Sequence, residues 1–318
     1  MRDRLPALLV ACAALLAALS PACGSAEPAS DRPAAGGSAK AEKFPVTLSG
    51  PGGRVRVERR PRRIVSLSPS ATESLFAIGA GDRVIAVDSA SDHPKWAPAT
   101  DLSGLEPNVE AVAGYQPDLV VFSNDPGELA TTLDKLGIPA LLHPAPRRLE
   151  GAYAQIEQLG AATGHAEEAA ELVASMRREI EDIVASVPDF ERPPTYYHEL
   201  DGTYFTVTSH TFIGEIYGLL GLRNIADEAD DQGTGYPQLS AEYIIDSDPD
   251  LVFLADTECC DQSARSVARR PGWDSISAVQ HGRVVELDDD IASRWGPRVV
   301  DFLRIAAGAA RRLESART

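Results

Sequence analysis

Apolar and polar positions follow two rhythms along this chain. Between residues 64 and 145, short apolar runs are interleaved with helical stretches. Residues 63–67, 84–87, 118–122 and 138–142 read as strands, and 71–78, 108–114 and 127–136 as helices, a sequence that favours parallel α/β layers. From 149 to 187 the period changes. Leu172, Met176, Ile180 and Ile183/Val184 recur at spacings of three and four and form one apolar stripe. Acidic residues at the start and Arg177-Arg178 further on suit the helix dipole, and Pro188 and Pro193-Pro194 end the pattern. This predicts a helix of about 20 residues or more. From 195 to 310 the α/β rhythm returns.

The second α/β half echoes the first. Asn108-Val-Glu110 followed by Pro117-Asp-Leu-Val120 matches Ser240-Ala-Glu242 followed by Pro249-Asp-Leu-Val252. Glu73 with Gly79 pairs in the same order with Glu215 and Gly221. Two ordered echoes predict two lobes of related design. The expected fold is therefore α/β, with two Rossmann-like lobes joined by one long backbone helix and a ligand cleft between the lobes, where small-molecule sites favour the interface.

The amino terminus has a different character. A charged start, Met1 to Arg4, precedes an apolar run over 5–19, too short to span a bilayer, and Ser20-Pro21-Ala22-Cys23 follows. These features predict a signal peptide over 1–22 with lipidation of Cys23. A Gly/Ser/Ala/Pro-rich flexible tether follows, giving a segment 23–42. The remaining divisions are a lobe over 43–146, a linking helical segment over 147–188 and a lobe over 189–318. The other cysteines are Cys12, in the leader, and the adjacent pair Cys259-Cys260, which can close a vicinal disulfide in an oxidising compartment. No CxxC motif occurs, and no metal site is expected.

Among the 318 residues, 44% are hydrophobic and the net charge is −17, which supports a large core and argues against nucleic acid as a partner. A basic stretch interrupts this acidity: Arg54, Arg56, Arg59, Arg60, Arg62 and Arg63 stand against Glu58. It reads as a solvated edge strand, with contact to anionic lipid as the functional alternative. An enzyme is not expected. G-x-S-x-G, H-E-x-x-H and Walker patterns are missing from the sequence, and the six histidines form no i, i+4 pair.

Arg63-Ile-Val-Ser-Leu-Ser-Pro-Ser-Ala-Thr-Glu73, Gly79-Ala-Gly81 and Glu110-x6-Pro-Asp-Leu-Val together resemble a helical-backbone substrate-binding protein of ABC importers, a family serving ferric siderophores, haem and vitamin B12. Tyr236-Pro-Gln-Leu-Ser-x-Glu242, Arg270-Pro-Gly-Trp273 and Ser293-Arg-Trp-Gly-Pro-Arg298 fit the same pattern. The Ser-Pro-Ser turn followed by Ser91-Asp-His-Pro94 is similar to the cobalamin-binding branch, although His93 stands where that branch often has an aromatic residue.

The resemblance implies an extracytoplasmic, membrane-anchored lipoprotein, monomeric and without an intrinsic cofactor. It would capture cobalamin or a related corrinoid, or alternatively a ferric siderophore or haem. Its partners would be an ABC permease with its ATPase subunits, the small-molecule ligand, and the membrane through the lipid. Glu110 and Glu242 would dock on permease arginines. Each also lies two residues after a good N-cap, Asn108 or Ser240, where an acidic residue offsets the helix dipole. The ligand wall is expected from Ser68, Ser70, His93, Trp96, Tyr236, Arg294 and Trp295, since aromatic faces with a few donors suit a broad corrin ring. Ser70-x-x-Glu73 reads as a capping box, and Trp273 as core.

Overall fold

The computed structural model describes residues 44–315. The expected signal peptide, Cys23 and the tether lie outside these residues. The chain runs β1 (Val46–Gly50), β2 (Gly53–Val57), β3 (Ile64–Leu67), α1 (Pro69–Ala77), β4 (Val84–Asp88), β5 (Ala99–Leu102), α2 (Val109–Gly114), β6 (Leu119–Phe122), α3 (Leu129–Lys135) and β7 (Ala140–Leu142). Two helices follow, α4 (Leu149–Thr163) and α5 (Ala166–Ala185). The second half comprises β8 (Thr195–Glu199), α6 (Phe212–Gly218), β9 (Arg223–Asn224), α7 (Ala241–Ser247), β10 (Leu251–Leu254), α8 (Ala264–Val267), α9 (Ser277–Gln280), β11 (Val284–Glu286), α10 (Asp289–Ser293) and α11 (Val299–Ser315).

Two parallel sheets result. The first has the order β5-β4-β3-β6-β7 and the second β11-β10-β8-β9. The central strands β3, β6, β8 and β10 are buried on both faces, and the period of two decides which core each side chain joins. On β6, Leu119 and Val121 face the large central core, while Val120 and Phe122 face an outer core under α2 and α3. On β10, Leu251 and Phe253 join the same central core, and Val252 and Leu254 an outer one containing Trp273. The central core also takes in the inner faces of α4, α5 and α11, so both sheets are tied to one apolar body.

The repeated Pro-Asp-Leu-Val has a physical reason. The carboxylate of Asp118, just before β6, accepts from the backbone N–H groups of Arg62 and Arg63 just ahead of β3, at 2.8–3.0 Å. Asp250, just before β10, accepts from the N–H and hydroxyl of Thr195 at the start of β8, at 2.9 and 3.2 Å. Each aspartate thus pins the chain where it enters the neighbouring strand, and the proline ahead of it keeps the preceding helix from running on.

The linking segment is divided. Gly164 takes a left-handed conformation (φ 74°), its N–H bonds back to Gly160 O, and α4 ends there. The 20-residue α5 then packs along α4 and α11 with Met176 and Ile180 buried, which is the predicted apolar stripe. The basic stretch is likewise more ordered than an edge strand of the main sheet. β1 and β2 pair as a separate antiparallel ribbon that leans on α4, where Gln158 donates to Ser49 O at 3.3 Å.

Candidate functional site

In a parallel sheet every strand ends at the same edge, and the loops leaving that edge carry most binding residues. Here the carboxyl edges of the two sheets meet. The segment after β11 in the second half reaches α1 in the first, and Arg294 is its centre. Its guanidinium donates to Glu73 Oε1 (3.0 Å), Asp92 Oδ1 (2.9 Å) and Ala90 O (2.8 Å), and pairs with Asp290 at 2.5 Å. Arg298 adds a 2.7 Å bond to the same Glu73 oxygen. Glu73 is 2% exposed at its side chain and Arg294 7%, so these charges are buried and must be paired. Gly296 allows the approach. A Cβ there would come within 3.0 Å of Glu73 Oε2 and 3.1 Å of Ser70 O.

The local electrostatics follow from this pairing. Burial, reinforced by neighbouring Asp92, pushes the Asp290 carboxyl up to about 6 against the pull of Arg294. Asp92 is also raised by partial burial, but its bond to Arg294 outweighs that and holds it below the usual range. Burial works against the Arg298 charge, and Glu73 more than compensates, so its pKa is raised.

Two expectations change here. The N-cap of α1 is Ser68, whose hydroxyl accepts from Ala71 N at 3.4 Å, so Ser70 and Glu73 form no capping box. Glu73 lies two residues past the position that could close a capping box with Ser68, and instead binds the two arginines. Nor is Arg294 open to the cleft, because its four partners enclose it. Ser70 Oγ accepts from Trp295 N at 3.1 Å, and the Trp295 indole donates to Gln155 of α4 at 2.9 Å. Ser68, Ser70, Arg294 and Trp295 therefore have polar groups engaged in joining the halves or capping α1.

His93, Trp96 and Tyr236 are exposed. Trp96 is 78% exposed on the loop after β4, and Tyr236 46% on the loop after β9. Two residues absent from the sequence expectations join them: Leu105, 75% exposed after β5, and Phe205, 39% exposed after β8. Four of the five large exposed apolar side chains among the described residues thus sit on carboxyl-edge loops, two from each half. Phe205 is held by an antiparallel bridge to Gln238, beside Tyr236, and Thr206 N donates to Pro237 O at 3.0 Å. Leu105 carried a signal, being a lone apolar residue in a polar turn. Phe205 carried none, because Tyr-Phe-Thr-Val reads as ordinary buried strand.

Glu110 and Glu242 occupy matching places. Each is exposed in the first turn of its helix, α2 or α7, with the Asn108 side chain accepting from Ala111 N and the Ser240 hydroxyl from Tyr243 N. Both helices begin on the same carboxyl edge as the apolar loops. The sulfurs of Cys259 and Cys260 are joined in a vicinal disulfide on the loop after β10. Asp289 organises that loop by accepting from the N–H groups of Thr257, Glu258 and Cys259 at 2.7, 3.2 and 2.8 Å. Beneath it, Arg270 grips buried Glu199 with two 2.6 Å bonds, and both oxygens of neighbouring Asp256 are buried without a donor. Burial and the Glu199 charge raise the Asp256 carboxyl to about 7. Among the described residues, no group of three or more His, Cys, Asp or Glu is placed to hold a metal ion, and no helix is long and apolar enough to cross a membrane.

Two parallel α/β halves, packed on shared helices and meeting at their carboxyl edges, define a two-lobed binding protein. The periplasmic binding protein family matches residues 64–291, and the chain belongs to that family. An ABC transporter substrate-binding lipoprotein of Bacillus subtilis, YvrC, is 32% identical over 299 residues, covering 91% of this chain and 92% of that one. A cobalamin-binding protein of Halobacterium salinarum is 32% identical over 280 residues, covering 85% of this chain and 75% of its own. The crystal structure of the periplasmic vitamin B12 binding protein BtuF of Vibrio cholerae superposes with a TM-score of 0.66 at 26% identity, covering 80% of this chain and 98% of that one. These relatives are binding proteins and not enzymes, and this chain is a binding protein.

Proposed function

We propose that the protein is the extracytoplasmic substrate-binding component of an ABC importer, and that its cargo is cobalamin or a related corrinoid. The observation that carries this reading is the placement of exposed apolar side chains on carboxyl-edge loops of both lobes: Trp96 and Leu105 on one, Phe205 and Tyr236 on the other. A broad ring with apolar faces and amide edges suits such a surface, with the Tyr236 hydroxyl and His93 as polar contacts. The B12- and cobalamin-binding relatives support the same choice. Cys23 would carry the lipid that keeps the loaded protein at the membrane, and residues 24–42 the tether. Glu110 and Glu242, one per lobe on the same edge as the cleft, would dock on arginines of the permease. There, ATP hydrolysis by its partner subunits frees the ligand.

The Arg294 cluster gives this cycle a mechanical character. Buried ion pairs bridge the lobes at the cleft floor, and a continuous apolar core backs them. Binding therefore proceeds with little lobe motion, and release depends on contacts the permease makes at the rim. The test is tryptophan quenching and thermal stabilisation of the protein with cyanocobalamin, haem and ferric siderophores. Sub-micromolar binding of cyanocobalamin alone is expected. Preferential binding of haem or a siderophore would overturn the choice of cargo.

A further inference from the structure

The edge opposite the cleft carries the reverse charge. Arg62 and Arg63 precede β3, Arg83 precedes β4 and Asp118 precedes β6, so all lie at the amino edge of the first sheet. Arg59, Arg60, Arg62, Arg83 and Asp118 line a hollow of about 640 Å³ there. The adjoining β1–β2 ribbon presents Arg54 and Arg56, and every arginine from 54 to 63 is exposed.

Several of these guanidinium groups are held by neutral backbone carbonyls, which position a charge without cancelling it. Arg60 donates to Thr163 O and Gly164 O at 2.9 and 3.0 Å, and Arg63 to Tyr115 O and Gln116 O at 2.6 and 3.0 Å. Arg83 donates to Pro61 O at 3.3 Å. The carboxylates close by are Glu58, paired with Arg56, Asp82, 3.8 Å from Arg83, and Asp118, which accepts from the backbone of Arg62 and Arg63. Asp134 lines the groove beside Arg54 and Arg56, and Glu168 pairs with the His165 that meets Arg60, so seven arginines face five carboxylates on a molecule whose net charge is −17. A cationic face of this kind on an acidic protein is an orienting device, since every other approach to an anionic surface is repulsive.

We propose that this arginine face binds the phosphate headgroups of an anionic membrane surface, parking the anchored protein with its cleft turned away from the bilayer. The inference rests on the reading of Cys23 as the lipid anchor. Twenty residues separate Cys23 from Phe44, and a Gly/Ser-rich chain of that length reaches about 25 Å, enough to let the first lobe lie on the membrane. In this orientation the apolar loops meet incoming ligand. Docking through Glu110 and Glu242, on the opposite edge, requires the protein to turn over, so headgroup and permease compete for it.

The experiment is vesicle sedimentation of the chain from residue 23 onward carrying Cys23→Ser, so that neither the apolar leader nor a lipid contributes, with and without Arg59→Glu/Arg62→Glu. Phosphatidylglycerol-containing vesicles should bind the first chain, and pure phosphatidylcholine vesicles should not. The double substitution should weaken binding at least about thirtyfold, from roughly a fivefold loss per arginine removed. Binding should also fade as salt rises to about 0.5 M. Arg59→Lys/Arg62→Lys should retain it, and an unchanged urea midpoint shows that each variant is folded. Equal sedimentation of the parent and Glu chains, or equal binding to both lipids, would overturn the proposal. So would arginine-dependent binding of free inositol hexakisphosphate without vesicle binding, which would make the hollow a site for soluble anions. Cyanocobalamin quenching measured on the same chains is independent of this face, so its loss would overturn the cargo reading alone.

Discussion

Replacing Glu73 by Gln isolates the contact that joins the lobes. The substitution keeps the volume and removes the charge that accepts from Arg294 at 3.0 Å and Arg298 at 2.7 Å, at a site where the carboxylate is 2% exposed. Breaking a buried pair by removing one partner costs about 3–5 kcal/mol, because the charge left behind has neither water nor a counterion. Arg294 retains Asp92 and Asp290, whereas Arg298 loses the carboxylate it is hydrogen-bonded to, so the cost belongs at the lower end, about 3 kcal/mol. For a domain of this size that corresponds to a fall in Tm of about 6–12 °C. Urea denaturation and calorimetry at neutral pH measure it. Arg298→Met, alone and combined with Glu73→Gln, supplies the double-mutant cycle, and the combined variant should be less unstable than the sum of the singles. A Glu73→Gln protein within about 0.5 kcal/mol of the parent would refute the reasoning, since that is the range of ordinary surface substitutions.

Other outcomes follow from the same contacts. Gly296→Ala should destabilise by about 1–3 kcal/mol in urea denaturation, because its methyl group crowds Glu73 and the Ser70 carbonyl. Asp256 titrates at about 7 when folded against 3.8 as its ordinary value, so the stability it contributes is complete below about pH 4 and is lost as pH rises through 7. Subtracting the Tm of Asp256→Asn from that of the parent across this range should give a difference that falls with pH, and a flat difference would exclude the linkage. Trp96→Ala and Tyr236→Ala should leave stability within about 0.5 kcal/mol but weaken cyanocobalamin binding about tenfold or more each by fluorescence titration. Glu110→Arg with Glu242→Arg should leave ligand affinity intact and abolish uptake by cells, whereas parallel loss of affinity and uptake would sink the docking role.

Much of the architecture was legible in the residues because it rests on local rules. Short continuous apolar runs marked the central strands, the Leu172 to Val184 stripe marked α5, and the caps at Asn108 and Ser240 marked two equivalent helices. The internal echo predicted two lobes, since the same tetrapeptide needs the same strand beside it to pin. Some local elements escaped: β5 is too short and too polar over Ala99–Leu102 to stand out, and one glycine at 164 was enough to divide the linking helices. What decides the site is contact between residues far apart in the chain. Glu73 reads as a capping residue until Arg294 and Arg298, more than 220 positions away, are brought against it. Phe205 reads as core until the carboxyl-edge loops leave it facing solvent. Sequence determines the period, the caps and the charges of each segment, because those interactions span a few residues. Only the tertiary structure decides which charges are buried together and which apolar side chains remain open for a ligand, because burial belongs to the whole chain.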